Sequence, residues 1–330
     1  MRKIHIALAA DSNYLVPITV VLQSIFDNNR GEDITIYLLY LEGTLKKEDL
    51  RFLTDFTRQR KGTFTELKIK QEQIDGFPET RHGKATLLRL CLPNLLPSLD
   101  KILYLDGDII VNGDLSPLFD LDISSYHVAA AKDSASVYNI NYQTAMGIES
   151  SHFYYNAGIL LLNLAALRQI DLVTQMNDFT QKNYDRISAP DQDFLNYICQ
   201  KKTLYIPPKY NMNYALEKDI RAKIWTREEV KEARKHPVIV HYIGPVKPWS
   251  VLSTHPQRKL WWKYVKRTCF ADYRPKDATL CNRIHKCYLS VTRPVESLFS
   301  LESKRKIGKL IPSGLKKGLK KSLQKTYKKQ

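Results

Sequence analysis

The chain lacks any run of about 18 apolar residues, the length a membrane-crossing helix requires. Its longest apolar stretch, 157–167, is shorter and is interrupted by Asn163. Cysteine is scarce, with five in 330 residues (Cys91, Cys199, Cys269, Cys281 and Cys287). An odd, scattered set excludes a disulfide scaffold and fits a reducing compartment. Cys281 and Cys287 are at most half a zinc site, and no paired His/Cys motif accompanies them. Glycine and proline, 13 and 15 residues, are too few for a low-complexity or collagen-like chain. No Gly-x-Gly-x-x-Gly occurs, and no P-loop, so neither dinucleotide nor P-loop phosphate chemistry is signalled. Acidic residues are missing altogether after Glu302.

That last absence localises the charge. The net charge is +17, and eleven of the Lys and Arg lie in 304–330, so the remainder carries +6. The body is an ordinary globular composition, 43% hydrophobic and 26% charged. At the start, Met1-Arg2-Lys3 and the apolar run 4–10 imitate a signal peptide. The run is short, contains His5 and is followed by Asp11-Ser12-Asn13, which reads better as a first buried strand. A protein of the cytoplasm or of a cytoplasmic membrane face is expected.

Periodicity predicts strands at 4–10, 34–41, 63–69 and 101–111, with helices at 16–28, 45–60 and 85–96 between and beside them. In the second half, strands are predicted at 127–131, 157–162 and 238–242, and helices at 171–183, 191–200 and 261–270. This alternation argues for an α/β fold with a largely parallel, Rossmann-like sheet. Such sheets bind ligands beyond the carboxyl ends of their strands. Asp11 and Asp106 stand at two of those ends.

The clearest chemical signal is Tyr104-Leu105-Asp106-Gly107-Asp108. A turn permitted by Gly107 aims both carboxylates at one point, which suits Mn²⁺ or Mg²⁺ beside a phosphate-bearing ligand. The alternative is a solvated acidic loop, which needs no buried strand to hold it. A second apolar run delivers His241, and a Gly/Pro-shaped loop, Gly244-Pro245-Val246-Lys247, follows. A neutral imidazole completes a metal set, while Lys247 and the Gly244 N–H suit a pyrophosphate. The alternative is a core-edge histidine and a surface lysine. After strand one, the small residues Ala9 and Ala10 admit a ligand, Asp11 and Asn13 can read a base edge, and Tyr14 can stack on a base. Asp11 or Ser12 also suits a helix cap. Asn156 opens a buried run and needs a partner. Asp191 suits a cap for the helix after Pro190, whereas Gln192 has no evident structural duty.

Together these motifs resemble the retaining glycosyltransferases of family 8, which include bacterial lipopolysaccharide α-galactosyl- and α-glucosyltransferases and glycogenin. The resemblance spans roughly 3–265 in collinear order. It rests on Ala9-Ala10-Asp11-x-Asn13-Tyr14, Leu103-Tyr104-Leu105-Asp106-x-Asp108, Tyr155-Asn156-Ala157-Gly158, Asp191-Gln192-Asp193 and His241-Tyr242-x-Gly244-Pro245-x-Lys247-Pro248-Trp249. It implies an α/β fold of the nucleotide-sugar transferase type called GT-A, with a Rossmann-like N-terminal half. It implies a UDP-hexose donor, with Asp106, Asp108 and His241 at the Mn²⁺ positions. Asp11, Asn13 and Tyr14 match the uridine site and Gly244 and Lys247 the diphosphate contacts, with Ala9 and Gly107 also among the donor-binding positions. Arg89, Asn156, Asp191 and Gln192 match the donor-sugar surroundings, and Asp133 a position near sugar and acceptor. Gln192 stands where a nucleophile for double displacement would be expected, and an amide is a poor one. A non-catalytic sugar-nucleotide or glycan-binding module is the alternative.

The expected organisation is a catalytic domain at 1–270, an extension at 271–302 and a basic tail at 303–330. In the tail, Leu315, Leu319 and Leu323 are four apart, with Lys316, Lys317, Lys320 and Lys321 between them. On a helix this makes an apolar stripe flanked by lysines, the pattern of an in-plane membrane helix. The leucine stripe and the weakly basic body favour an anionic membrane over nucleic acid as partner. The chain is therefore expected on the cytoplasmic face of the inner membrane, with a glycan or glycolipid acceptor.

Overall fold

A computed structural model of the chain describes residues 2–78, 84–133, 140–214, 216–221 and 223–287. The expected membrane-association tail, 303–330, lies outside the described residues. The chain divides into two compact units, 1–241 and 242–330.

The first unit is built on β1 (Lys3–Ala9), α1 (Leu15–Asn28), β2 (Asp33–Leu41), α2 (Lys47–Arg58) and β3 (Thr63–Ile69). Then come β4 (Lys101–Leu105), β5 (Ile109–Val111), β6 (Val128–Lys132) and β7 (Tyr155–Asn163). The helices α3 (Leu172–Asn183) and α4 (Pro190–Cys199), and the short strands β8 (Thr203–Tyr205) and β9 (Ile239–His241), complete it. Seven strands form one mixed sheet in the order β3-β2-β1-β4-β7-β6-β8. Among them β7 runs antiparallel to both its neighbours, while the other pairings are parallel. The mainly parallel α/β sheet expected from the alternation is thus present.

Three local expectations are corrected. The stretch 101–111 is two strands, not one, because the chain leaves the large sheet at Asp106-Gly107-Asp108 and β5 pairs instead with β9. Helix α1 supports the detached strand: Val111 N donates to Ser24 Oγ at 3.0 Å, and Asn28 Nδ2 donates to Val111 O at 3.0 Å. The stretch 85–96 is mostly a 3₁₀ helix, Lys84–Cys91, followed by one α-turn at Leu92–Leu95. Pro93 has no N–H for the Arg89 carbonyl, and its ring would crowd that carbonyl in a continuous α-helix. The helix expected at 261–270, α5, spans Arg258–Val265 instead, and Thr268 Oγ1 donates to Val265 O just beyond its end.

The core under the site is aliphatic. Ile18, Val20, Val21, Leu22 and Ile25 of α1 are fully enclosed, as are Ile4, Ile6 and Leu8 of β1. In the second unit, Trp261 of α5 packs on Trp249 and Trp262, with ring centroids 5.3 and 5.1 Å away. The Asp277 carboxylate accepts from Ser250 Oγ at 2.5 Å and Val251 N at 3.0 Å. Cys269, Cys281 and Cys287 are free and exposed.

Candidate active site

The site forms at the carboxyl ends of β1 and β4, where the parallel strands point the same way. β1 ends at Ala9, a half-buried residue. Asp11 Oδ1 accepts from Asn13 N at 2.8 Å and caps a single turn, Ser12–Tyr14, so one of the two roles open to Asp11 is filled. Asn13 is exposed. The Tyr14 ring lies against Gly107, where an added Cβ would sit 2.9 Å from Tyr14 Cδ1. Burial first, and then Asp108, Asp106 and Asp11, push the Tyr14 hydroxyl pKa up.

Asp106 and Asp108 flank buried Gly107 and are not a solvated loop, for Asp108 is itself buried. Because β7 is antiparallel, its first residues arrive at the same edge, and Asp106 N donates to Gly158 O at 2.8 Å. His241 arrives on β9, opposite Ile109. Its Nε2 lies 3.4 Å from Asp108 Oδ1 and 3.9 Å from Asp106 Oδ2. Asp106, Asp108 and His241 bring their ligand atoms within 4.8 Å of one another, and among the described residues no other such cluster occurs. Two carboxylates and an imidazole are a donor set that suits Mn²⁺. Gly158 fits the same reading, since a Cβ there would lie 2.7 Å from Asp106 Oδ2 and collide with the His241 ring. Only glycine leaves these donors their positions.

Asp106 divides its oxygens. Oδ1 accepts from Arg89 Nη2 at 2.9 Å and from Tyr104 Oη at 3.1 Å. Oδ2 is left on the side of His241. Arg89 is buried beneath the site; the same Nη2 also lies 3.1 Å from Asp191 Oδ2, while Nε donates to Thr86 O at 2.7 Å and Nη1 to Ala157 O. Burial works against its charge, but Tyr104, Asp106 and Asp191 around it outweigh that and raise its pKa. Asp191 is pushed up by its own burial and by Asp106, against the pull of Arg89. Asp191 is not the N-cap residue, which is Ala189, although its carboxylate does meet the first-turn N–H groups of Asp191 and Gln192. It lies within the first turn of α4, directed at Arg89.

Gln192, expected to be free of structural duty, has one. Its Oε1 accepts from Ala157 N at 3.0 Å and from Asn156 Nδ2 at 3.2 Å. Asn156 Oδ1 in turn accepts from Gly158 N at 3.0 Å, which supplies the partner its position demanded. The start of α4 is held by Asp193, fully enclosed, which accepts from Tyr154 Oη at 2.5 Å, Tyr142 Oη at 2.7 Å and Ala189 N at 2.9 Å. Burial, together with Asp193, pushes the Tyr142 hydroxyl up to about 12. Asp133 follows β6, and its N donates to Tyr154 O at 2.8 Å.

Gly244 and Lys247 belong to the second unit. Gly244 has φ +89°, a conformation that favours glycine, and Lys247 Nζ donates to Tyr242 O at 3.2 Å.

Two supporting residues are not singled out by sequence reasoning. One is Tyr104, inside the strand leading to Asp106. The other is Asn211, buried, whose Oδ1 lies 2.9 Å from His241 Nδ1. A polar residue in the otherwise buried stretch Tyr210-Asn211-Met212 was its only signal.

A sheet of this order with an acid–acid–histidine cluster at its carboxyl edge defines a nucleotide-sugar transferase architecture. The model of glycosyl transferase family 8 matches residues 5–252, and the chain belongs to that family. It is 26% identical over 81% of its length to general stress protein A of Bacillus subtilis, covering 96% of that protein. It is 26% identical over 83% of its length to the lipopolysaccharide 1,2-glucosyltransferase of Escherichia coli, covering 81% of that enzyme. In fold it matches the galactosyltransferase LgtC, solved with donor and acceptor sugar analogs, at TM-score 0.73. That match has 24% identity and covers 81% of this chain and 96% of LgtC. The protein is a glycosyltransferase of the GT-A fold.

Proposed function

We propose that the protein is a retaining, Mn²⁺-dependent hexosyltransferase. It moves galactose or glucose from a UDP-hexose to a glycan or glycolipid acceptor such as a lipopolysaccharide core. The observation that carries this is the convergence of Asp106 Oδ2, Asp108 Oδ1 and His241 Nε2 at the carboxyl edge of the sheet. A divalent cation held by these three supplies the positive charge that a departing diphosphate requires, and such stabilisation is usually the largest catalytic term.

The chain's own residues do the rest. Ala9, Asp11, Asn13 and Tyr14 receive the uridine, and Gly107 lets the backbone approach the diphosphate. The Gly244 N–H and Lys247 hold the diphosphate and stay with it as it leaves. Asn156, Asp191 and Gln192 face the donor sugar, while Arg89 acts through the carboxylates it holds. Asp133 stands on the acceptor side. In the reaction the bond from the sugar's anomeric carbon to the UDP oxygen breaks. The acceptor oxygen bonds to the same face, and its proton passes to a diphosphate oxygen. Gln192, a neutral amide with its oxygen already shared by two donors, is unsuited to form a covalent intermediate. Trapping a glycosyl-enzyme on Asp191 or Gln192 would overturn this mechanism.

The test is UDP release from a panel of UDP-sugars, with Mn²⁺ and with EDTA. Slow, metal-dependent release from one UDP-hexose supports the reading and names the donor. Release unaffected by EDTA would sink it. A non-catalytic binding module is the competing reading, and it releases no UDP from any donor whatever acceptor is added.

The reading extends to organisation. The catalytic domain is 1–270, with an extension at 271–302. Tail 303–330 holds the enzyme peripherally on the cytoplasmic face of an anionic membrane, beside its acceptor. Among the described residues no helix is long and apolar enough to cross a membrane. Each basic residue near an anionic surface contributes about 1 kcal/mol. Deleting 304–330 is therefore expected to abolish co-sedimentation with phosphatidylserine vesicles and to leave UDP release unchanged. A truncated protein that still pelleted would refute the role of the tail.

A further inference from the structure

Four side chains are joined end to end across the site. His241 Nδ1 lies 2.9 Å from Asn211 Oδ1, Asn211 Nδ2 donates to Asn156 Oδ1 at 2.9 Å, and Asn156 Nδ2 donates to Gln192 Oε1 at 3.2 Å. The ends of an amide are alike in shape, so the direction of such a chain needs an anchor. Two backbone groups supply it. Gly158 N donates to Asn156 Oδ1, and Ala157 N donates to Gln192 Oε1, each at 3.0 Å.

A backbone N–H can only donate, so both side-chain atoms it meets are oxygens. Asn156 then has only its NH₂ to offer Gln192. Asn211 must meet Asn156 Oδ1 with its own NH₂, and so turns its oxygen to the imidazole. The imidazole answers with a proton on Nδ1, because the bond made by one ring nitrogen sets the tautomer. The lone pair of Nε2 is thereby left toward Asp108 and Asp106. At the far end the oxygen of Gln192 is occupied twice, so its NH₂, which already meets the Tyr154 hydroxyl with one of its two N–H groups, is the end that donates.

We infer that Asn211 and Asn156 are positioning residues forming a relay of fixed polarity. It holds His241 as the Nδ1–H tautomer with Nε2 free for a divalent cation. It also makes Gln192 a hydrogen-bond donor, suited to a hydroxyl or anionic oxygen of the donor substrate, and not an electron-pair donor to its anomeric carbon. The nature of that substrate rests on the transferase reading, whereas the tautomer is a property of the protein alone.

The test uses the full chain labelled with [¹⁵N]histidine, free of metal and mildly alkaline, with His241→Gln to assign the signal. The wild type is expected to show the Nδ1–H pattern for His241, and Asn211→Leu to lose it. In parallel, Mn²⁺ alone is titrated and followed by its paramagnetic resonance. Loss of such an orienting partner typically weakens metal binding by about 10–100-fold, and Asn211→Leu is expected in that range. Asn211→Asp still presents an oxygen to Nδ1 and is expected to bind Mn²⁺ at least as well as wild type. Its second oxygen, however, faces Asn156 Oδ1, so kcat falls while Mn²⁺ affinity holds. A packing role would move both readouts together in both variants. An Nε2–H tautomer in the wild type, or unchanged Mn²⁺ binding in Asn211→Leu, overturns the inference. If the wild type shows Nδ1–H but binds no Mn²⁺, the metal reading falls and the relay stands. If Asn211→Leu does not fold, the wild-type tautomer and Asn211→Asp still decide.

Discussion

Asp106→Asn is expected to lower UDP release by about 10³-fold or more, a loss of about 4 kcal/mol in transition-state stabilisation. Part of the effect is the missing charge, which Asp108→Asn shares. The rest is specific to Asp106. Arg89 Nη2 and Tyr104 Oη both donate to its Oδ1. An asparagine there must give its oxygen to those two donors and so turns its NH₂ toward His241. The cation site would then be met by N–H groups instead of a lone pair. Mn²⁺ binding is therefore expected to fall further in Asp106→Asn than in Asp108→Asn. The fold should survive, because both bonds to Oδ1 are kept and the repulsion felt by Asp191 is relieved. Thermal unfolding, Mn²⁺ titration and UDP release on the same samples check all three points. Turnover within tenfold of wild type in Asp106→Asn would remove the metal from the mechanism.

Arg89→Met should act mainly on stability. The guanidinium is buried and faces two carboxylates, Asp106 at 2.9 Å and Asp191 at 3.1 Å. Removing one partner of a buried ion pair typically costs about 3–5 kcal/mol, because the remaining charges lose their compensation. For a chain of this size that is a fall in Tm on the order of 10 °C. Arg89→Lys is expected to rescue little, since a single ammonium cannot reach Thr86 O, Ala157 O and both carboxylates from one planar fork. Adding Asp191→Asn to Arg89→Met should recover part of the loss, as a double-mutant cycle would show. The sign with pH follows from Asp191, whose pKa is already pushed up by burial and by Asp106. Without Arg89 the deficit is smallest where that carboxyl is protonated and grows as pH rises through its raised pKa. A Tm unchanged in Arg89→Met would mean that the two carboxylates are compensated from elsewhere.

The two predictions concern residues of very different legibility. Asp106 and Asp108 are visible in the chain as an acidic pair closing an apolar run, and His241 as a histidine delivered by another. The strand at 63–69 is read at its full extent, Thr63–Ile69. Periodicity suffices there because a half-buried strand must alternate. It misleads at 101–111, where both halves are apolar and β-rich and only the partner strands differ. Arg89 is legible as a charged residue in an apolar stretch, but nothing local says that it turns inward to two carboxylates 17 and 102 positions away in number. Asn211 is harder still, for its whole value lies in which atoms it meets.

Composition and hydrophobic periodicity were enough to define an α/β chain with an acidic, metal-suited centre and a basic C-terminal segment, while the transferase was implied by the resemblance in motif order. Those features follow from local chemistry, since apolar spacing sets elements and strand ends collect polar side chains. What required the folded chain was direction and pairing. The antiparallel course of β7 carries Asn156, Ala157 and Gly158 to the edge where Asp106 stands, and the β5–β9 ribbon sets His241 across from it. From that arrangement come the division of Asp106's oxygens, the burial of Arg89 and the polarity of the Gln192 amide. Each depends on atoms from distant segments meeting at hydrogen-bond distance, and no spacing along the chain encodes such a meeting.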